Sequence, residues 1–332
     1  MCLASLIAQH VAAPSQTSAA VVYWDINGAT AGAGGATPSG TWDAAQLLWS
    51  TSLDGDTATA AWVAGNTAVF SAGSDATGAF GVTVVGNQIL NGMQFQEGTV
   101  TLTGGSLQFS SSSAIDVGAS LLATINSNIT AAALIKNGTG TLVLSGTNTL
   151  TGNFSINAGT IRILNAASLG TSTLAFNATD IGIEIGSSPV TIANNLSLAS
   201  ALLNMTIGGS ADLTFNGVLG AGNSSQVLNI TNTGATIFNG NSTSTATTAT
   251  RTTTFNVVDP AAVVTFNGAY LNNNGTGNRP LAKSGLGTLV MTSPDNTYRG
   301  ATTITGGLLR FDAGSAIGSG AWSSKTAKPA CS

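Results

Sequence analysis

Charge is scarce in this sequence. Nine of the 332 residues are Lys or Arg and thirteen are Asp or Glu, 7% together, where about a quarter is usual for a globular domain. The basic residues stand singly, at Lys136, Arg162, Arg251, Arg279, Lys283, Arg299, Arg310, Lys325 and Lys328. Nucleic-acid binding needs such residues clustered against phosphates, so nucleic acid is not an expected partner. The single histidine, His10, lies in a leader-like segment, which excludes a Ser–His–Asp or Cys–His arrangement from the rest of the chain. The two cysteines, Cys2 and Cys331, sit at opposite ends and form no disulfide framework. Only Met1 precedes Cys2, so the apolar signal that lipidation of that cysteine requires is missing. No run of about 18 apolar residues occurs, and no transmembrane helix is expected. Long stretches also lack the Glu, Lys, Arg and Gln that coat helices.

What is present is a sequence rich in Gly, Ser, Thr and Asn. The chain is 43% hydrophobic with a net charge of −4, too apolar and too weakly charged for a disordered tail. There are 42 glycines, and Thr, Val, Ile and Asn–Gly steps predict strands joined by turns. Residues 1–20 form a leader or a partial signal peptide. Cys2–Ala8 is mildly apolar and Ser18-Ala19-Ala20 is a small-residue site. Gln9, His10 and Pro14 interrupt the apolar run, and no basic segment precedes it.

Two distant segments repeat one another. Leu134–Gly170 aligns with Leu281–Gly318 after one inserted residue near Pro294. Lys136 matches Lys283, Gly138 and Gly140 match Gly285 and Gly287, Asn148 matches Asn296, Ile156 matches Ile304, Gly159 matches Gly307, and Arg162 matches Arg310. In each copy a Gly-x-Gly turn leads into a short apolar strand (Leu142–Leu144), an Asn-rich turn ends at Gly152, and strands follow around Phe154–Ile156 and Ile161–Ile163. Three short sides meeting at glycine or asparagine corners are the plan of a β-solenoid coil. Alternation turns Leu142, Leu144, Ile156, Ile161 and Ile163 inward, with Thr, Ser, Asn and Arg outward. Similar strands recur at irregular intervals, often near twenty residues, at Thr99–Phe109, Ile181–Ile185, Val190–Leu198, Leu213–Leu219, Val227–Ile230, Ala235–Asn239 and Val263–Asn267. The polar, low-complexity stretch Asn241–Thr254 reads as an exposed loop or a long polar strand.

Trp24, Trp42, Trp49 and Trp62 all fall in the first hundred residues. An open solenoid end exposes apolar core and unpaired strand edges, and these aromatics are suited to covering it. A carbohydrate-stacking site is the other reading. The expected organisation is a leader over 1–20, a Trp-rich cap with the first coils over 21–98, β-helix repeats over 99–320 and a polar tail over 321–332. Trp42 and Trp62 should be buried against the first coil, and the coil around Ile304–Ile317 should be the less protected end.

The copy Gly138–Ile163, and Gly285–Phe311 with its Asn296-Thr297-Tyr298-Arg299-Gly300, resemble the autotransporter-associated β-strand repeat, also described as a passenger-associated transport repeat. Tyr23-Trp24-Asp25-Ile26-Asn27-Gly28, Gly40-Thr41-Trp42-Asp43 and Ala61-Trp62 before Gly65-Asn66-Thr67-Ala68-Val69-Phe70 resemble the start of such proteins. The resemblance touches residues 23–320. It implies an all-β, right-handed, single-stranded parallel β-helix, similar to the passenger of a bacterial autotransporter, at the cell surface or outside the cell. Such proteins usually end in a membrane-embedded β-barrel. This sequence ends in Ala321-Trp322-Ser323-Ser324 and a polar tail and reads as a fragment, a truncated product or a stand-alone passenger-like chain, for which outer-membrane association is expected only with a further C-terminal barrel.

Two functions of different class follow. The first is a structural or adhesive surface rod without catalytic residues, cofactor or metal. Its partners would be surface glycans, a host or neighbouring cell surface, or a further copy or continuation stacked on the solenoid end. The second is a polysaccharide lyase or glycosidase, which needs acids clustered on one face. The acids here are scattered. The close pairs are Asp54 with Asp56, in a polar loop, and Asp180 with Glu184, flanking a strand on what periodicity makes one solvated side. Their dispersal favours the rod.

Overall fold

The computed structural model describes residues 19–198, 203–222, 224–244, 250–272, 277–312, 314, 318–319 and 322–324. His10, both cysteines, most of the leader and most of the tail lie outside this set, as do Ile317 and its two preceding residues. Among the described residues there is no α-helix, only a four-residue 3-10 turn at Ala166–Leu169, and hence no helix able to cross a membrane.

Short strands stack in parallel into a solenoid of about ten turns. A thirteen-stranded sheet forms the first side and runs from Gly40–Trp42 to Trp322–Ser324. A fourteen-stranded sheet forms the third side and, through Asn128–Ala131 and Thr149–Leu150, part of the second. At a strand spacing of about 4.8 Å, thirteen strands make a rod of roughly 58 Å. The second side is the short one. Early in the chain it is part of long bent strands: Asn87–Phe95 and Ser106–Val117 each turn a corner, and their register jumps from Leu90↔Phe109 to Gly92↔Ala114. Next come Asn128–Ala131, Thr149–Leu150 and the 3-10 turn, and from Val190–Ile192 onward a six-stranded sheet.

Registration explains the core. Along the first side Ala123, Leu142, Ile161, Ile183, Ile207, Ile230 and Val257 stack residue upon residue. All are essentially solvent-free. Each aliphatic side chain so buried contributes about 1.5–3 kcal/mol, and the alternate residues point to the outer face because the strand period is two. All five residues expected inward are fully buried.

One detail of the coil differs from the sequence-based plan. Ile161 stacks directly on Leu142, so Thr160–Ile163 is the next turn of the same side. The remaining side of that coil is Thr149–Leu150, inside the stretch read as a turn. A two-residue strand in polar text carries too little alternation to be legible.

The two repeat copies also lie one side apart around the axis. In the first, Leu134–Asn137 is on the third side and Thr141–Leu144 on the first. In the second, Leu281–Ser284 is on the first side and Thr288–Met291 on the second. The repeat therefore encodes a corner and its two flanking strands rather than a fixed face of the rod.

The N-terminal end breaks the parallel rule. Leu47–Ser50 pairs antiparallel with Val21–Trp24 and with Ala60–Ala61. Over this hairpin Trp42 and Trp62 are buried, as expected, with Trp24 and Trp49. The other end is less covered. Thr288–Met291 buries three of its four residues, whereas in Leu308–Phe311, stacked upon it, Leu309 alone is buried and Leu308 is exposed. Amide hydrogen exchange should therefore be faster for Leu309 and Phe311 than for Leu142–Leu144, and equal rates would contradict this order of protection.

Candidate functional surface

Two kinds of polar residue shared by the two repeat copies, the lysine and the asparagine, point inward. Lys136 and Lys283, which stand singly in the sequence, are both 0% exposed. The Lys136 ammonium donates to the carbonyls of Asn137 (2.7 Å), Gly138 (2.6 Å) and Ala158 (3.2 Å). Lys283 donates to those of Ser284, Gly285 and Gly306. Each lysine thus ties its own Gly-x-Gly corner to the corner of the following coil. Gly138 and Gly285 adopt φ of 70° and 73°, a left-handed conformation open to glycine. Asn148 works in the same way. Its Oδ1 accepts from the Ile129 N–H at 2.7 Å and its Nδ2 donates to the Ser168 carbonyl at 2.8 Å. Asn296 likewise holds the Tyr270 N–H and the Ser293 carbonyl. These groups satisfy backbone that no ladder reaches at a corner. The signal in the sequence was the lysine two residues before each Gly-x-Gly.

Burial lowers both lysines, to about 8, with the Asp116 carboxylate pulling Lys136 upward. In the unfolded chain they titrate near 10.5. Between those values the unfolded chain holds protons that the folded one has released, so stability rises with pH. Above about pH 9.5 tyrosine ionisation opposes this, because burial raises Tyr270 in the fold. The urea midpoint should climb between pH 7.5 and 9.5 by the equivalent of about 1–2 kcal/mol per lysine. The rise should vanish in a Lys136→Met, Lys283→Met double variant. A flat wild-type profile would show that the carbonyl cage offsets burial fully.

A second recurring device was missed in the sequence although its text is plain. Phe-Asn-Gly occurs at 215–217, 238–240 and 266–268. Inside, Phe215, Phe238 and Phe266 stack at centroid distances of 4.9 and 5.6 Å. Outside, Asn239 Nδ2 donates to Asn216 Oδ1 and Asn267 Nδ2 to Asn239 Oδ1, both at 2.8 Å. At the corner the glycines pack backbone on backbone.

Such amide ladders line other sides of the rod. Asn177 donates to Asn157 and Asn157 to Asn137, at 3.1 and 3.2 Å. Asn256, Asn229 and Asn204 form another, ending on Asp180. Each interior amide spends one N–H and one lone pair on its neighbours and leaves the rest for solvent or ligand.

The paired acids are engaged elsewhere. Glu184 receives Arg162 at 2.8 Å across adjacent coils. Asp180, at φ 56°, caps the asparagine ladder at 2.8 Å. Asp56 accepts from Ser52 at 2.6 Å. Among the described residues no group of three His, Cys, Asp or Glu is placed to hold a metal ion. The aromatic cap presents no open stacking platform, since all four indoles are buried.

The passenger-associated-transport-repeat family matches the chain at residues 134–163 and 281–311, the two copies described above. The adhesin BmaC autotransporter of Brucella suis biovar 1 (strain 1330) is 31% identical over 230 residues, covering 68% of this chain and 6% of that protein. The chain therefore spans a small fraction of that relative's length. No solved structure matches it. The chain is a parallel β-solenoid of autotransporter-passenger type, carrying two passenger-associated transport repeats.

Proposed function

We propose that this solenoid is a non-catalytic adhesive rod displayed at the cell surface or outside the cell. The observation that carries the reading is the rod's exterior. Amide ladders run along its sides with few charges, and the close acid pairs are tied into structural bonds. A repeating array of exposed donors and acceptors suits many weak contacts with a hydroxylated surface, where avidity replaces single-site affinity. The similarity to an autotransporter adhesin supports the same reading.

The purified chain, coupled to beads at high density, should be retained on glycan-coated surfaces, and should release no reducing ends or unsaturated products from polysaccharides. Turnover that is lost in Asp180→Asn or Glu184→Gln would replace the rod with an enzyme. Absence of retention on every surface would remove the adhesive role.

A further inference from the structure

We infer that a shallow polar groove on the third side, near the N-terminal end, is a binding site for a neutral saccharide. This deepens the adhesive reading and rests on it. The groove has a volume of about 320 Å³, at the low end of the ~300–1,000 Å³ found for small-ligand sites. It lies beside the corner where the two long strands bend.

Its floor is made by absence. In the outward column Thr67, Gly92, Ala114, Ile135, the two middle positions carry the smallest side chains. Gly92 does not need to be glycine for the fold. Its φ is not left-handed. A Cβ there would meet nothing closer than the Ala114 carbonyl at 3.4 Å and Thr67 at 3.6 Å, ordinary contact distances. Glycine in a strand costs stability, and here the missing side chain leaves room in the groove floor between Thr67 and Ala114 for an added side chain.

The walls are polar and partly free. In the neighbouring column Gln94, Asp116 and Asn137 stand in register, and Asn91 sits at the bend. The amide oxygens of Asn91, Gln94 and Asn137 already accept from Ser110, Gln96 and Asn157. That occupation leaves their NH2 groups without an acceptor among the described residues. The Asp116 carboxylate has no hydrogen-bond donor there either. Three amides, one carboxylate and the Thr67 side chain line the same groove, a donor and acceptor set that complements the vicinal hydroxyls of a sugar, each both donor and acceptor. The carboxylate and the net charge of −4 disfavour acidic sugars. The apolar side chains in the lining are the small Ala114 and the buried Met93, neither of which is an exposed aromatic or aliphatic anchor of the kind that carries protein interfaces, so a saccharide fits better than a polypeptide.

The test is an NMR titration of the full chain with neutral trisaccharides of glucose, mannose, galactose or N-acetylglucosamine, with trigalacturonate as the acidic control. At least one neutral trisaccharide should shift the side-chain amide signals of Asn91, Gln94 and Asn137 and the Gly92 backbone amide. Gly92→Leu, which fills the floor, should abolish those shifts while leaving the thermal midpoint unchanged. Asp116→Asn, which preserves shape, should weaken binding about tenfold. Shifts confined to other parts of the rod, shifts that survive Gly92→Leu, preference for trigalacturonate, or no response to any neutral trisaccharide would each overturn the assignment. Bead retention measured on the same variants separates the two ideas. Retention that persists in Gly92→Leu leaves the adhesive rod standing and the groove refuted, whereas no retention by the wild type refutes the rod itself.

Discussion

Gly240→Ala should destabilise the solenoid by about 3 kcal/mol or more, the upper range for forcing atoms into a packed site, read as a lower urea midpoint with an unchanged slope. A Cβ on Gly240 would lie 1.8 Å from the Gly217 carbonyl oxygen. The same holds on either side: Gly268 would place its Cβ 2.1 Å from the Gly240 oxygen, and Gly217 would place its own 2.1 Å from that of Asn194. None of these glycines has a left-handed φ, so the constraint is the distance between coils and not the torsion. That distance cannot relax locally. Asn239 N–H donates to the Phe215 carbonyl and Asn267 N–H to the Phe238 carbonyl, both at 2.7 Å, and the phenyl stack lies immediately inside. Opening one corner would strain bonds in the coils above and below. Gly81→Ala is the control. Its Cβ would meet nothing nearer than the Thr101 oxygen at 4.0 Å, so it should be neutral or stabilising by up to ~1 kcal/mol. Equal effects at the two positions would mean that the corners are slack and that the glycine column has no packing role.

This contrast bears on what sequence can disclose. The inward aliphatic stack was legible because residues such as Leu142 and Ile161 obey a two-residue period and because two long segments repeat. The burial of Trp42 and Trp62 was legible because four indoles in one region have few places to go other than a core. The corners were not. Lys136, Asn148 and their counterparts Lys283 and Asn296 are polar residues in polar text, and their burial depends on backbone groups of neighbouring coils, about twenty or more residues away, as well as on their own corner. Composition cannot show that relation. The one-side rotation between repeat copies was hidden for a similar reason: a repeat specifies its own corner, while the side it occupies depends on the length of every intervening coil. The groove at Gly92 was invisible because it is defined by a side chain that is missing. A single glycine among 42 is informative only once its surroundings show that a Cβ would have fitted.

Trp42→Ala should cost about 3–5 kcal/mol, and the loss should begin at the N-terminal end. Trp42 is fully buried, with ring centroids 5.0 Å from Trp49, 4.8 Å from Trp62 and 6.0 Å from Phe70. It sits at the centre of the aromatic cluster, so truncation would leave a cavity bounded by three rings. Two Trp-Asp steps hold this cluster in place. Asp25 accepts from the Asn27 N–H at 2.9 Å, and Asp43 from the Ala45 and Gln46 N–H groups at 2.8 and 2.7 Å, so each indole enters the cluster from a turn closed by its own neighbour. The hairpin Leu47–Ser50 with Ala60–Ala61 then covers the edge of the third side. Without the cluster that edge is unpaired and open to fraying or to intermolecular strand addition. A finer comparison separates packing from hydrogen bonding. The Trp42 indole N–H has no acceptor among the described residues, whereas that of Trp24 donates to the Pro38 carbonyl at 2.7 Å. Trp42→Phe removes an unsatisfied donor, which offsets part of the lost contact area, and should cost less than about 1.5 kcal/mol. Trp24→Phe leaves the Pro38 carbonyl unpaired and should cost more. Urea denaturation followed by circular dichroism ranks the three variants, and hydrogen exchange at Val22 and Ala68 reports whether opening starts at the cap. If Trp42→Phe proves as damaging as Trp42→Ala, or more damaging than Trp24→Phe, the shape of the indole at that position matters more than its unsatisfied N–H.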